Sequence, residues 1–277
     1  MPRFSVIIPA YNVAAHLRAC LEGLASQRVD ANAMEVIVVD NNSTDDTVAI
    51  ARSFPAVRVL HEPVQSSYAA RNLGVRESSG EQLAFLDPDC RPEPQWLASL
   101  AQGMQDAGTQ IVLGRRSYGD AWPLSLLSAY EAEKVAWIVE RQIPEVYFGY
   151  TNNMGMRRSA FERFGPFTVR PRGADTMMVR TVVDALGCDA ISYQPTMAVR
   201  HLEMTSLADY YGKRSIYGDS NERLSREIRF RPLRSAERWE IFRRTIRRTP
   251  SVGGMVTLLA LLGVGAFIYE RARRRAK

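Results

Sequence analysis

Leu83-Ala84-Phe85-Leu86-Asp87-Pro88-Asp89-Cys90 is the stretch that decides how this chain folds. Its first four residues are apolar, as in a short strand that is buried within a sheet. Pro88 has no N–H group to donate to a neighbouring strand, so we expect the strand to stop before it. Asp87 and Asp89 can then turn toward one point beyond the sheet. Such oxygen ligands suit Mg²⁺ or Mn²⁺, although an isolated Asp-x-Asp is also typical of a solvated turn.

The residues before this stretch alternate between strand patterns and helix patterns. Apolar runs of strand length are each followed by turn residues and then by apolar residues at helical spacing. Strands are predicted over 4–9, 35–40 and 57–60. Helices are predicted over 14–26, from the turn residues 41–46 to about 53, and over 66–77. This alternation predicts an α/β domain with a mostly parallel, Rossmann-like sheet and helices on both of its faces.

The ends of three predicted strands carry polar and aromatic side chains. Tyr11 follows the first strand, Asp40 ends the second, and Asp87 and Asp89 end the strand described above. Ligands of open α/β sheets bind at the carboxyl ends of the strands. Neither of the glycine-rich phosphate motifs GxGxxG and GxxxxGK[ST] follows the first strand, so a nucleotide would be held by these side chains.

The composition is that of a folded protein with an uneven charge. The chain has 277 residues, of which 46% are hydrophobic and 24% charged, with a formal net charge of +6. Residues 206–249 and 270–277 together carry 17 Lys and Arg against 7 Asp and Glu, whereas the rest carries 19 against 23. A basic C-terminal third on a mildly acidic body predicts an anionic partner, either a lipid surface or nucleic acid.

The cysteines and the N-terminus predict a reducing compartment. Cys20, Cys90 and Cys188 form no CxxC pair and have no histidine at zinc-finger spacing. We therefore expect no disulfide framework. The first residues enter a strand pattern at once and lack the layout of a signal peptide.

Four segments together resemble glycosyltransferase family 2, in the order and spacing of that family. They are Ser5-Val6-Ile7-Ile8-Pro9-Ala10-Tyr11-Asn12, Val38-Val39-Asp40-Asn41-Asn42-Ser43-Thr44-Asp45-Asp46-Thr47, Ala70-Arg71-Asn72-Leu73-Gly74 and Phe85-Leu86-Asp87-Pro88-Asp89. The resemblance covers roughly residues 4–202 and is specific as a set, since each piece alone is weak. It implies a GT-A fold, a nucleotide-sugar donor, a divalent metal ion and inversion at the anomeric carbon.

The resemblance also implies roles for individual residues. Pro9, Ala10 and Tyr11 would line the nucleobase, and Asp40 would accept a hydrogen bond from its ring N–H. Arg71 would contact the nucleotide or its phosphates. Asp87 would hold the ribose or the metal shell, and Asp89 would be a metal ligand. On residue chemistry alone, Asp40 is also typical of a helix-entry turn and Arg71 of a solvated helix.

The second half of the resembling region carries further candidates. Asn152 and Asn153 lie in a segment that resembles the strand beside the family's acceptor site, although a polar strand end reads the same way. Asp175 stands where the family has its catalytic base, but Ala174 replaces the preceding Glu of the common Glu-Asp form. Asp175 is also suited to capping the helix that begins there. His201 lies where the family often has a histidine of the metal or diphosphate site; a lone histidine is more often structural.

The C-terminal region predicts attachment to a membrane. Residues 207–249 are helix-like and basic, with Pro232 dividing them, and residues 252–269 form an uncharged stretch of 18 residues. A helix of that length is about 27 Å long, slightly short of a bilayer core of about 30 Å. We expect a weak span or, preferably, a re-entrant or interfacial segment with both basic flanks on anionic headgroups. The alternative, a buried C-terminal helix of the soluble domain, would leave the flanking arginines unexplained. The predicted domains are 1–204 (donor half to about 115, acceptor half after it), 205–249 and 250–277.

The expected activity is metal-dependent transfer of a sugar from a nucleotide diphosphate sugar to a hydroxyl of a glycan or lipid-linked acceptor. Attachment to the cytoplasmic face of the membrane, with no nucleic-acid partner, is expected. Two alternatives stay open: a catalytically silent nucleotide-sugar-binding protein on the same fold, and a nucleotidyltransferase. The latter would be expected to have a glycine-rich loop where this chain has Pro9-Ala10-Tyr11-Asn12.

Overall fold

One mixed sheet organises the fold. The structure is a computed structural model that describes residues 2–119, 121–248 and 251–276. The strands are β1 (Phe4–Ala10), β2 (Met34–Asp40), β3 (Val57–His61), β4 (Gln82–Leu86), β5 (Cys90–Pro92), β6 (Ile111–Ser117), β7 (Asn153–Arg157) and β8 (Ile191–His201). The helices are α1 (Ala14–Ala25), α2 (Thr47–Arg52), α3 (Ser67–Arg76), α4 (Trp96–Gly103), α5 (Trp122–Arg141), α6 (Arg158–Phe164), α7 (Ala174–Leu186), α8 (Leu207–Leu224), α9 (Ser235–Arg248) and α10 (Val252–Arg275).

The eight strands lie in the order β3-β2-β1-β4-β7-β6-β8-β5. β1 pairs in parallel with β2 and β4, and β2 pairs in parallel with β3. β7 is antiparallel to both β4 and β6. Among the parallel strands, β1, β2 and β4 have apolar runs that are buried on both faces, as is usual when helices cover both sides of a sheet.

Chain contacts divide the protein into two compact units. The first consists of residues up to 115 together with 148–200, and contains most of the sheet. Its core includes Ile7, Val38, Phe85 and Trp96, all fully or almost fully buried. α3 lies close against β1, because Gly74 has no side chain where a Cβ would come within 2.5 Å of the Ile7 side chain.

The second unit consists of residues 116–147 and the chain from 201 onward, as far as it is described. It holds α5, α8, α9 and α10 around a buried carboxylate, Glu131 of α5. Glu131 binds Lys134 and lies 3.9 Å from Arg214, and it accepts a hydrogen bond of 3.2 Å from the Tyr210 hydroxyl. Burial would raise the pKa of Glu131, but Lys134 and Arg214 lower it to about 2. These contacts join α8 to α5 by charge rather than by apolar packing alone.

Most predicted elements of the first half are present, and the differences are instructive. The strands and helices predicted before residue 86 match β1 to β4 and α1 to α3 within a few residues. The prediction missed β5 and α6. The predicted domain boundaries stay a prediction; in the structure residues 116–147 group with the C-terminal helices. Lys277, the last basic residue of the predicted tail, lies outside the described residues, as do Thr249 and Pro250.

Gly114 of β6 offers a test of the packing across the sheet. A Cβ at this position would lie 2.3 Å from both Asn153 Nδ2 and the backbone oxygen of Met197, and the backbone cannot move away easily. We expect Gly114→Ala to lower the free energy of unfolding by about 1–3 kcal/mol, as overpacked cores do. Denaturant unfolding followed by circular dichroism measures this change.

Gly212→Ala is the matched control, because Gly212 lies in α8 and a Cβ there meets nothing within 4 Å. Alanine is the better helix former, so this substitution should raise stability by about 0.5–1 kcal/mol. Equal unfolding midpoints for wild type and Gly114→Ala would contradict the packing described for β6, β7 and β8.

Candidate active site

The carboxyl ends of β1, β2 and β4 meet at one edge of the sheet. This follows from their parallel pairing, in which Ala10 lies opposite Asp40. Tyr11 comes directly after β1 and is 51% exposed, whereas Pro9 and Ala10 are buried within the strand. The predicted grouping of an exposed aromatic ring with carboxylates at one edge is therefore present.

The Asp40 carboxylate is held in a fixed orientation. Its Oδ1 atom accepts a hydrogen bond of 3.1 Å from the Ser43 N–H group. Its Oδ2 atom lies 3.3 Å from Nδ1 of His61, the last residue of the neighbouring strand β3. Asp40 itself is largely buried, while the His61 side chain is mostly exposed. One carboxylate oxygen is thus turned toward a solvent-facing partner.

The loops after β1 and β2 are tied to each other. Asn12 adopts a left-handed backbone conformation (φ 50°), which asparagine tolerates better than most residues. Its side-chain oxygen accepts a hydrogen bond of 2.8 Å from the Thr44 N–H, and the Val13 N–H donates to the Thr47 hydroxyl at 2.9 Å. These bonds join the segment that directly follows Tyr11 to the loop after β2 and to the start of α2.

Arg71 of α3 is buried against Asp87. The Arg71 residue is 3% exposed, and its Nη2 group donates a short hydrogen bond to Asp87 Oδ1. Its guanidinium also lies over the ring of Tyr68, 5.4 Å from the ring centre, in a cation–π contact. In this structure the charge of Arg71 is therefore neutralised by Asp87 and does not face open solvent.

Three side chains form a group that can hold a metal ion. Asp89, Cys90 and His201 each offer one ligand atom, and these atoms lie within 4.8 Å of one another. His201 is the last residue of β8, so the strand sets its position. Burial and the charges of Asp89 and Asp87 raise the pKa of the Cys90 thiol well above its ordinary value. The carboxylate and the imidazole are therefore the donors that fit a divalent cation here.

This group differs from the predicted one in a single member. Asp89 and His201 were both predicted as metal ligands, and the structure brings them together. Asp87 was predicted to share the metal shell, but it is not part of the group and its Oδ1 binds Arg71. Cys90 takes a place that the sequence analysis did not give it.

Asp175 lies in the first turn of α7, with both of its carboxylate oxygens contacted. Oδ1 accepts hydrogen bonds from the Tyr68 hydroxyl (3.1 Å) and from the Thr176 N–H (2.9 Å). Oδ2 has one longer contact, 3.4 Å from the Thr151 N–H. Burial raises the pKa of Asp175, and these hydrogen bonds together with the charge of Arg71 oppose that rise.

Asp175 is not the N-cap residue of α7, although its Oδ1 accepts a hydrogen bond from the Thr176 N–H in the first turn. The helix begins at Ala174, and the capping position is Gly173, whose φ of +89° suits glycine. The Asp175 side chain instead points to α3, because Tyr68 binds it. The Tyr68 hydroxyl also accepts a hydrogen bond of 3.2 Å from the Gly173 N–H, so it ties the start of α7 to α3.

The two predicted acceptor asparagines have different environments. Asn153 is fully buried, and both of its polar side-chain atoms have partners: Oδ1 accepts from Trp96 Nε1 of α4, and Nδ2 donates to the backbone oxygens of Arg115 and Met197. It has no atom left for a sugar, so the acceptor role predicted for Asn153 does not fit this structure. Asn152 is partly exposed, and its Oδ1 has no hydrogen-bond partner among the described residues.

Four residues of this region were not singled out from the sequence. Tyr68 lies three positions before Arg71, on the same face of α3, and this helical spacing was the available signal. Cys90 directly follows Asp89. His61 ends a predicted strand next to that of Asp40, and Thr151 precedes the two asparagines; their contacts depend on the folded chain.

Comparison with known proteins assigns the family. The profile of Glycosyl transferase family 2 matches residues 5–165, which is more than half of the chain. This chain belongs to glycosyltransferase family 2. The resemblance carried by the four sequence segments is thereby confirmed.

Sequence relatives of this family-2 chain come from several organisms. It is 35% identical to Glycosyltransferase AglE of Haloferax volcanii over 173 residues, which cover 60% of this chain and 56% of that protein. It is 42% identical to a PGL/p-HBAD biosynthesis glycosyltransferase of Mycobacterium tuberculosis over 181 residues, covering 62% of this chain and 65% of that protein. The chain thus spans less than two thirds of the length of these relatives.

Solved structures confirm the fold class. The mannosyltransferase PcManGT of Pyrobaculum calidifontis, solved with GDP-Man and Mn²⁺, is similar with a TM-score of 0.65 at 20% identity, over 99% of this chain and 83% of that one. Glucosyl-3-phosphoglycerate synthase of Mycobacterium tuberculosis, solved with Mn²⁺ and UDP-Glc, has a TM-score of 0.56 at 21% identity over 78% and 77% of the two chains. The family-2 chain has the predicted GT-A fold.

The metal group can be tested by direct binding. Asp89→Asn keeps the shape of the side chain but removes its charge, so we expect Mn²⁺ affinity to fall by more than about tenfold, at least as much as loss of an outer-shell partner costs. Titration calorimetry on the full chain measures the affinity. Glu81→Gln, an exposed residue of the same unit, is the charge-matched control and should bind Mn²⁺ as the wild type does. Unchanged Mn²⁺ affinity in folded Asp89→Asn would exclude Asp89 as a ligand.

Proposed function

We propose that this chain transfers a sugar from a nucleotide diphosphate sugar to an acceptor hydroxyl, with inversion at the anomeric carbon. The observation that carries the proposal is the placement of Asp175, a carboxylate with a raised pKa, against α3 and next to the Arg71–Asp87 pair. Family membership supports the reaction class. The nucleotide sugars and Mn²⁺ present in the similar structures support the donor class and the metal.

The donor binds at the carboxyl ends of β1, β2 and β4 in this proposal. The exposed ring of Tyr11, which follows Pro9 and Ala10, stacks on the nucleobase. Asp40, oriented by Ser43, accepts a hydrogen bond from the ring N–H of the base. The Tyr11 ring thus supplies an apolar surface, and the Asp40 carboxylate supplies a directional hydrogen bond, a combination that is usual in small-molecule sites.

Arg71 and Asp87 act together on the ribose and the diphosphate. Arg71 is buried and bound to Asp87, so a phosphate reaches its guanidinium only beside that carboxylate. Asp89 and His201 would hold the divalent cation, and the combination of a carboxylate with an imidazole favours Mn²⁺ over Mg²⁺. When bound, the cation neutralises charge that develops on the leaving diphosphate.

Asp175 is the catalytic base of the proposal, and its Oδ2 is the atom that accepts the proton. Both acceptor positions of Oδ1 are used by the Tyr68 hydroxyl and the Thr176 N–H, whereas Oδ2 has only the long contact from Thr151. The Tyr68 hydrogen is committed to Oδ1, because the Tyr68 oxygen already accepts from Gly173. Tyr68 is thus a positioning residue that leaves Oδ2 available.

The reaction then balances in one displacement. The acceptor O–H proton moves to Asp175 Oδ2 as the acceptor oxygen bonds to the anomeric carbon. The bond between that carbon and the diphosphate oxygen breaks, and the nucleoside diphosphate leaves with the electron pair. Attack from the face opposite the leaving group inverts the configuration. Asn152, which is partly exposed although its Oδ1 atom is buried, is the remaining candidate for a contact with an acceptor hydroxyl.

The acceptor class and the location are parts of the same proposal. Within the described part of the chain, α10 is long and apolar enough to cross a membrane by length and composition. Nucleotide sugars are cytosolic, so the catalytic residues would work at the cytoplasmic face. A glycan or lipid-linked acceptor of the cell envelope is the substrate class that membrane attachment favours.

Asp175→Asn tests the base. The amide cannot accept the proton, so we expect transfer to fall by about 10²–10⁴-fold, the usual contribution of a positioned base. Donor and Mn²⁺ affinities should stay unchanged, because Asp175 contacts neither in the proposal. Transfer is measured with radiolabelled UDP-Glc or GDP-Man, and donor affinity by calorimetry. A parallel loss of donor affinity would show that Asp175 is structural.

Tyr68→Phe tests the positioning role through the pH profile. Asp175 must be ionised to act, so transfer rises with pH through its pKa. The Tyr68 hydroxyl stabilises the ionised carboxylate and lowers this pKa. Removal of the hydroxyl should therefore move the acidic limb of kcat to higher pH.

Tyr150→Phe is the matched control for this profile. It removes another buried tyrosine hydroxyl of the same unit, one that donates to the Gly114 carbonyl at 2.8 Å rather than to Asp175. The free energy of unfolding of Tyr150→Phe should fall, whereas the acidic limb of its kcat profile should stay at the same pH as in the wild type. An unshifted limb in Tyr68→Phe would refute the positioning role and leave the proposed base untouched.

A further inference from the structure

α10 exposes a continuous apolar face. Exposed positions recur at helical spacing, at 252, 255, 256, 259, 260, 263, 264 and 267, which places them on one side of the helix. The large apolar side chains among them are Val252, Met255, Val256, Leu259, Val264 and Phe267. Val256 is 59% exposed and Phe267 66%, and Arg271 and Arg274 continue the same face at its end. A contiguous apolar patch that is exposed on a protein surface usually marks a site that binds another protein or a membrane.

The opposite face of α10 lies side by side with α8, in the same direction. Four contacts follow one another in the same order along both helices. The Tyr211 hydroxyl donates to the Leu261 carbonyl (3.1 Å), and Gly218 packs against the Tyr269 backbone. Further along, Glu222 pairs with Arg273 (2.7 Å), and the Arg226 side chain donates to the Ala276 carbonyl (2.9 Å). Residues 211–226 of the chain therefore accompany residues 261–276 of α10. The two helices form one unit, the α8–α10 pair.

This pairing argues against a membrane span. α8 is a polar helix, and it carries Lys213 and Arg214 next to the last part of the uncharged stretch of α10. The Arg214 guanidinium lies 5.0 Å from the ring centre of Tyr269 of α10. If α10 crossed the bilayer in this arrangement, these charges would enter the hydrocarbon with it. Charged side chains at the centre of a membrane are energetically costly and therefore rare.

Basic and aromatic side chains of the same unit fit a lipid surface. On α9, Trp239, Arg243 and Arg247 are four residues apart and exposed, so they share one face. Tryptophan is enriched at the membrane interface, and arginine binds anionic headgroups. Together with Arg271 and Arg274 of α10, these residues combine positive charge with exposed apolar area, which is the pattern of helices that lie in the interface.

We propose that the α8–α10 pair docks in the plane of an anionic lipid surface, with the exposed face of α10 inserted among the headgroups and α8 remaining in water. The inference rests on the membrane attachment in the proposed function and decides how α10 enters the membrane. Lipid is the partner that we propose for the exposed face of α10. The competing outcomes are that a second copy of the chain binds this face, or that α10 is a transmembrane helix.

Binding to vesicles tests the inserted face. Val256→Asp combined with Leu259→Asp places two charges on exposed positions, so the fold and donor hydrolysis should be unchanged. Co-sedimentation of the full chain with phosphatidylcholine–phosphatidylglycerol vesicles should fall by more than about tenfold, which corresponds to about 1.4 kcal/mol. Leu186→Asp, an exposed leucine of α7, is the matched control and should bind like the wild type.

Each result decides the proposal. Equal vesicle binding by the double variant and the wild type would overturn it. Loss of a dimer in sedimentation velocity without loss of vesicle binding would assign the face to a second copy and also overturn it. Normal donor hydrolysis in the double variant separates this proposal from the proposed reaction, because failure of the reaction would abolish hydrolysis in the wild type as well.

Labelling distinguishes in-plane docking from a span. Gly212 of α8 lies next to the apolar half of α10, and a side chain there would enter open space. In a Cys188→Ser background, Gly212→Cys should react with a membrane-impermeant maleimide when the chain is bound to vesicles, and carbonate should release the protein. Protection of this cysteine together with carbonate resistance would show a span and overturn the proposal.

Discussion

The buried guanidinium of Arg71 is the interaction on which the proposed site depends. It binds Asp87 at the end of β4 and lies over the ring of Tyr68, whose hydroxyl binds Asp175 at the start of α7. A buried charge is tolerated only when it is paired, and removing one partner of a buried pair costs about 3–5 kcal/mol. The Asp87 side chain is 31% exposed, so the lower part of that range applies here. This pairing fixes the position of α3 and thereby of Tyr68.

One helix thus connects the two halves of the proposed chemistry. Arg71 and Tyr68 lie three positions apart on α3, so they point in similar directions. Arg71 serves the donor side, and Tyr68 orients the base and leaves Asp175 Oδ2 available. Preorganised groups of this kind reduce the reorganisation needed when the reaction occurs. The same buried environment raises the pKa of Asp175, as suits a proton acceptor.

The first half of the fold could be predicted because local pattern and buried position agree there. β1, β2 and β4 are nearly continuous apolar runs, which the interior of a parallel sheet requires, and the residues after them are turn formers. The antiparallel direction of β7 could not be predicted, since strand direction depends on partners far apart in sequence. Asn153 was misjudged for a similar reason. Its three hydrogen bonds come from α4, β6 and β8, and two adjacent asparagines look alike in a sequence.

The site residues likewise differ in whether their roles could be predicted from the sequence. Asp89 and His201 were predicted as partners from a family resemblance, and the folded chain brings them together; their binding of a metal stays a prediction. Tyr68 was not predicted, because only the folded chain joins it to a residue more than a hundred positions away. The C-terminal stretch was predicted to meet a membrane from its composition, but only the packing of α8 on α10 bears on how it does so.

The stereochemistry of transfer tests the central claim most directly. A single displacement, with Asp175 removing the acceptor proton on the face opposite the diphosphate, inverts the anomeric carbon. The product formed from an α-linked donor such as UDP-Glc or GDP-Man is examined by NMR, in which the anomeric signal distinguishes an α-linked from a β-linked glycoside. The account predicts a β-linked product. An α-linked product would show retention and would contradict a mechanism in which Asp175 acts as the base of a direct displacement.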